Sequence, residues 1–174
     1  RDATDSHMLF DRVRGATNDL HSDATAAQAT NPNTVQRFLE AGVQVGNDVQ
    51  VNTANESYVL WNWMMEATGS GTLNEVGSIN STVLVDTTLG VSVGTYTGTT
   101  SAATIGHGLG VTPSMVLVKS VDSVTGWYVY HADLTANTYY LRLDTTAAQS
   151  SGGATIFNST TPTSTVFSVG TNSE

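Results

Sequence analysis

The chain has no cysteine, three prolines, one lysine (Lys119) and few charges of any kind. Without cysteine there is neither a disulfide framework nor a thiolate metal site. Only 12% of the residues are charged and the formal net charge is −9, a balance that argues against nucleic acid and anionic membranes as partners. No apolar run is long enough to suggest membrane insertion, and no signal-like N-terminus or lipidation motif is present.

What the chain does have is threonine, serine, valine, glycine and asparagine in quantity. Thr and Val suit half-buried strands, and Gly and Asn suit tight turns, so the composition predicts an all-β fold. A length of 174 residues allows one or two domains. Short strands punctuated by turn residues point to an antiparallel β-sandwich or jelly roll.

An internal repeat organises the chain. Residues 2–11 run parallel to 122–131, an offset of 120 (122 − 2). Residues 23–28, Asp-Ala-Thr-Ala-Ala-Gln, match 144–149, Asp-Thr-Thr-Ala-Ala-Gln, an offset of 121 (144 − 23). Residues 42–46 parallel 166–170, an offset of 124 (166 − 42). Such a spacing is a domain-sized repeat, longer than a solenoid unit of about 20–50 residues. The copies are unevenly complete, which together with the initial Arg1 predicts a fragment of a longer tandem array. The expected division is 1–68 as the C-terminal part of a first β-sandwich repeat, 69–76 as a linker, and 77–174 as the N-terminal part of a second.

Alternation predicts strands at 7–13, 78–86, 90–97, 115–118, 127–131, 139–143 and 165–169. Residues 91–97 and 115–118 read as a central hairpin joined through the glycines Gly106, Gly108 and Gly110, with Pro113 at a strand entry. A turn is expected at Arg14-Gly15, and residues 16–33 read as irregular apart from a short strand near Leu20. Residues 35–42 carry a helical spacing (Val35, Phe38, Leu39), but the repeat partner near residues 155–158 leads into a Thr/Pro/Ser run, so strand or loop is expected. Two short β segments are expected around Gly46-Asn47-Asp48. At 58–65, Val59, Trp61, Trp63 and Met65 share one face, which predicts a strand turned toward a sandwich core. Residues 149–154 read as a flexible loop.

Motifs for chemistry are sparse. His7, His21, His107 and His131 never fall at metal-ligand spacing. Loop aspartates such as Asp2, Asp5, Asp122 and Asp133 could supply oxygen ligands to calcium, against the plainer reading of solvated carboxylates; no other cofactor is indicated. There is no Gly-x-Ser-x-Gly elbow. Glu40, Glu56, Glu66 and Glu75 all precede residue 80, leaving only Glu174 in the second copy, which argues against a repeat-wide catalytic glutamate. The 106–110 glycines precede a strand rather than a helix, so a tight turn is favoured over a phosphate loop.

Aromatic side chains are the remaining candidates. Trp127, Tyr128, Tyr130, Tyr139 and Tyr140 crowd two neighbouring strands, and flat rings with a polar edge suit stacking on sugars. Trp127, Tyr128, Tyr130 and Tyr140, with Arg142 and His107 as polar contacts, form the candidate glycan site; core packing is the competing reading for one face of each strand. Arg12, Arg14 and Arg142 could equally pair with nearby aspartates.

The blocks Thr95-Tyr96-Thr97-Gly98, His107-Gly108-Leu109-Gly110, Pro113, 115–120, Val13-Arg14-Gly15-Ala16-Thr17, 42–46 and 58–63 resemble repeats in tail-fibre and other virion surface proteins of marine bacteriophages. The resemblance spans nearly the whole chain. It implies a concanavalin-like β-sandwich, a virion or extracellular location, and glycan binding or fibre structure, with no catalytic residues to transfer. Val43 stands where such repeats usually carry Phe, and residues 127–131 replace the Val-Arg-Gly block in the second copy.

The expected function is therefore a non-enzymatic, lectin-like segment of a phage virion or tail fibre contacting host surface glycans. A purely structural repeat with no ligand is the alternative, and a polysaccharide depolymerase the third. The second copy has no counterpart of residues 58–64, so an unpaired sheet edge and a homo-oligomer are expected, a trimer if the protein is a fibre.

Overall fold

The computed structural model describes residues 4–65 and 69–172. Asp2, Glu66 and Glu174, named above as a candidate ligand and candidate acids, lie outside the described residues. In chain order the elements are β1 (Met8–Asp11), β2 (Gly15–His21), β3 (Ala29–Thr30), β4 (Val35–Leu39), β5 (Gly42–Val45) and a single helical turn α1 (Val49–Asn52). There follow β6 (Thr72–Asn74), β7 (Ser81–Asp86), β8 (Val91–Tyr96), β9 (Ala103–Gly106), β10 (Met115–Val118), β11 (Tyr128–His131), β12 (Tyr139–Arg142), β13 (Ser150–Ser151), α2 (Gly153–Ile156) and β14 (Val166–Val169). The fold is all-β and antiparallel, with sheets ordered β1-β2-β3, β4-β5, β6-β7-β8, β9-β14 and β10-β11-β12-β13.

The sequence repeat is a structural repeat with conserved register. Met8 pairs with His21 and Leu9 with Leu20; at the same offsets, Tyr128 pairs with Arg142 and Val129 with Leu141. Asn18 and Asp19 face Thr30 and Ala29, as Tyr139 and Tyr140 face Ser151 and Ser150. The bonds at the strand ends recur as well. Asp23 Oδ1 accepts from His7 N–H at 3.0 Å, and Asp144 Oδ1 accepts from Trp127 N–H at 2.8 Å. Gly46 N–H donates to Thr34 O, and Gly170 N–H to Ile156 O, both at 2.7 Å. These two glycines are fixed by close approach. A Cβ on Gly46 would fall inside contact distance of Asn33 O, and one on Gly170 inside that of Ala154 O.

The copies part company after β3 and β13. In the first, residues 35–39 form a strand as expected, paired with β5. In the second, the corresponding stretch, residues 157–161, forms no strand and follows the helical turn α2, and β14 pairs instead with β9, which reads too short and glycine-bounded to stand out in the sequence. Above the β9-β14 pair lies the β6-β7-β8 meander. Ser81 Oγ donates to Gly106 O at 2.8 Å, Ser92 Oγ to His107 O at 2.7 Å, and Tyr96 meets Phe167 edge-on at 6.3 Å. Ile105 of β9, 2% exposed, is bridged to Gly77 and Ile79 just before β7.

Several expectations are corrected. β8 and β10 are not a hairpin: β8 pairs with β7 across a turn that Asp86 closes by accepting from Thr88 and Leu89 N–H at 3.0 and 2.8 Å, while β10 pairs with β11. Only the first of the two β segments around residues 46–48 is a strand. The second is α1, which Asp48 caps by accepting from Gln50 N–H at 2.9 Å. Residues 58–65 are not a strand and do not face a core. Tyr58 instead folds back, its hydroxyl donating to Val49 O and accepting from Thr53 N–H, both at 3.0 Å; residues 59–64 stay exposed and Met65 is half-buried. Thr72–Asn74, inside the expected linker, form β6 against β7.

The two copies also touch. Trp127 Nε1–H donates to His21 O at 2.8 Å, Gln28 N–H to Val121 O at 2.9 Å, and Thr125 N–H to Thr25 O at 3.0 Å.

Candidate functional site

The side chains proposed from the sequence to meet a glycan are mostly interior. Trp127, Tyr128, Tyr130 and His107 are all buried. The reason is local: β10 lies along β11, so Val116 and Val118 pack with Ile156 and Tyr140 on the cluster of Tyr128, Tyr130 and Phe157. Tyr128 meets Tyr140 edge-on at 5.4 Å, and Tyr130 meets Phe157 at 6.0 Å. Alternation puts successive residues on opposite faces, and here both faces are covered. Buried rings of this kind are not available to stack on a sugar.

The polar members of that set have structural partners. Arg142 lies over the Tyr128 ring at 5.1 Å and pairs with Asp144 at 3.0 Å. The bond it donates to Asp144 is the main reason the Arg142 guanidinium is held above its usual range. Burial works to raise the Asp144 carboxyl, but bonds from Arg142 and from Trp127 N–H outweigh it and leave that group below the usual carboxylate range. His107 Nδ1 accepts from Leu109 N–H at 3.2 Å, so Nε2 carries the proton and donates to Thr163 O at 3.2 Å. The ring locks the 106–110 turn to the loop before β14.

Exposed aromatics lie elsewhere, on the segment that alternation assigned to a core. Trp61 is 73% exposed and Trp63 66%. They flank a groove of about 490 Å³ between residues 60–65, β1 and β4, floored by Met8, Phe10 and Phe38 and reaching Val91 and Val93 of β8. Polar groups at its wall are Asp11, Arg12, Glu40 and Asn62, and the Arg12 guanidinium sits 5.9 Å from the Phe38 ring. A planar, apolar surface with a cation and an amide beside it suits a ring with an apolar face and hydroxyl edges. A signal for this site was present in the sequence: residues 58–65 are apolar on both alternating faces, as Leu60 and Met64 oppose Trp61 and Trp63, which a sheet with one solvated face does not require.

A smaller cavity of about 330 Å³ is walled by Thr82, Thr95, Thr97, Asn80 and Asp122, with Leu73. Among the described residues, no three His, Asp or Glu side chains gather as a metal site would need, so Asp5, Asp122 and Asp133 are not brought together. No helix among the described residues is long and apolar enough to cross a membrane.

Compared with known proteins, the whole chain, residues 1–174, matches a family described as a domain of unknown function, DUF7483. No curated protein and no solved structure matches it.

Proposed function

We propose that this chain, which belongs to the DUF7483 family, is a non-enzymatic module of a virion or extracellular fibre that contacts a surface glycan through the groove beside Trp61 and Trp63. The single observation that carries the reading is the pair of indoles left outside the fold, next to an apolar floor with Arg12 and Asn62 at its wall. Large exposed aromatic surface is unfavourable in water unless a partner covers it. The fibre context comes from the resemblance of the repeat blocks, and fold-level likeness is weaker support than the site.

The test is a glycan array probed with the purified chain, alongside Trp61→Ala and Trp63→Ala. Selective binding that both substitutions abolish supports the reading. An array left blank by a folded protein shifts the assignment to a ligand-free structural repeat, which the conserved pairing of β1-β2-β3 with β11-β12-β13 favours in its own right.

A further inference from the structure

The repeat supplies an internal control for what belongs at each sheet edge. β11 and β1 are the same strand in two copies, paired in the same register to β12 and β2. Their surroundings differ. Tyr128, Val129 and Tyr130 are 8%, 6% and 4% exposed because β10 runs antiparallel along the other edge of β11. Met8, Leu9 and Phe10 are only half-buried, and among the described residues no strand lies on the outer edge of β1. Phe10, the counterpart of Tyr130, faces the open groove instead of a partner such as Val116.

The strand that seals this edge in the second copy is itself an edge. β10 ends its sheet, with no partner on its far side among the described residues. Met115 and Leu117 are exposed on it, and the only lysine of the chain, Lys119, falls just beyond the strand. Its residues, Met-Val-Leu-Val, carry no charge, proline or glycine to discourage pairing. One molecule thus presents both a half-covered edge that its own repeat shows to accept a β10 strand, and a β10 strand with a free side.

We propose that the outer edge of β1 in one copy of this chain pairs antiparallel with the outer edge of β10 in a second copy. The contact joins two different patches, so it is heterologous. Repeated, it closes a ring or extends a filament according to the rotation between neighbours. Main-chain bonds supply the pairing, and Met115 and Leu117 add apolar cover beside Met8 and Phe10. The contact shares Met8 and Phe10 with the groove beside Trp61 but uses neither indole, so exchange protection and the glycan array read the two proposals separately.

The experiment is sedimentation of the whole chain over about a hundredfold range of concentration, combined with amide hydrogen exchange. The expected result is reversible, concentration-dependent assembly. Amides in both Met8–Asp11 and Met115–Val118 should slow by about tenfold or more in the assembled state. The double variant Met115→Lys/Leu117→Lys, both sites exposed, should stay monomeric. A synthetic peptide, Ser-Met-Val-Leu-Val-Lys-Ser, should dissociate the wild-type assembly and protect Met8–Asp11 alone, a readout that does not depend on how the variant folds. A chain that remains monomeric throughout overturns the proposal. So does assembly with protection confined to other residues, or a peptide that binds without any self-association of the chain.

Discussion

Trp127 and His21 stand 106 residues apart, and the indole N–H of the first donates to the carbonyl oxygen of the second at 2.8 Å. The bond joins the start of β11 to the end of β2, making the two copies of the repeat one packed unit. Trp127→Phe keeps most of the apolar area and removes the donor. Its expected effect is a loss of about 1 kcal/mol, with Trp127→Ala nearer 3–5 kcal/mol because a cavity is added. Urea unfolding monitored by circular dichroism measures both, and should stay a single transition in the wild type.

The paired glycines make a symmetrical prediction. Gly46→Ala and Gly170→Ala each push a methyl against a backbone carbonyl, that of Asn33 or of Ala154, and each should destabilise by about 1–3 kcal/mol. Gly98→Ala is the control: nothing lies within 4 Å of a Cβ there, and the change should stay within about 0.5 kcal/mol. Matching losses at the first two positions would show that both copies use the same backbone crossing.

Two buried aspartates should respond to pH in opposite directions. The Asp144 carboxyl is held down in the folded state, so its contribution is complete above the unfolded value of about 4 and is lost as pH falls through the depressed folded value. Asp19 is pushed up, chiefly by burial, although His21 opposes this. What it contributes is complete below about pH 4 and is lost as pH rises through its folded value. Asp144→Asn should cost about 1–2 kcal/mol near neutrality and less in acid; Asp19→Asn should stabilise the chain near neutrality and do little in acid. Unfolding midpoints across the pH range test both signs.

The three tryptophans should separate cleanly by environment. Trp61 and Trp63 are exposed and Trp127 is buried, so iodide should quench most of the native fluorescence. In a Trp61→Phe/Trp63→Phe variant, the residual emission should be blue-shifted and resistant to quenching. Stability of that variant should stay within about 0.5 kcal/mol of wild type, since neither ring is packed.

Much of this architecture was readable because repeats leave marks at polar positions. Asp23 and Asp144 match in sequence, and they do the same work of accepting a strand-entry N–H. What alternation could not supply was the partner. It gives two faces to a strand without saying how many are covered, so Trp127, Tyr128 and Tyr130 read as available when β10 had closed over them. The same limit worked in reverse at residues 58–65, where an apolar pattern suited a core and the chain folds no sheet. Pairing distance was the third gap: β8 and β10 are both plain in the sequence, but β9 between them and the Asp86 turn decide that they join different sheets.

Each shared bond in the repeat uses main-chain groups, with an aspartate carboxylate where a side chain takes part. Ring and aliphatic positions are not bound by it: His7 and Trp127 occupy one backbone slot, as do Met8 and Tyr128. Side chains at those slots are free to diverge while the architecture persists. Further copies of this unit in distant sequences will therefore be recognised by the spacing of an aspartate and a crossing glycine, long after their hydrophobic residues have ceased to look alike.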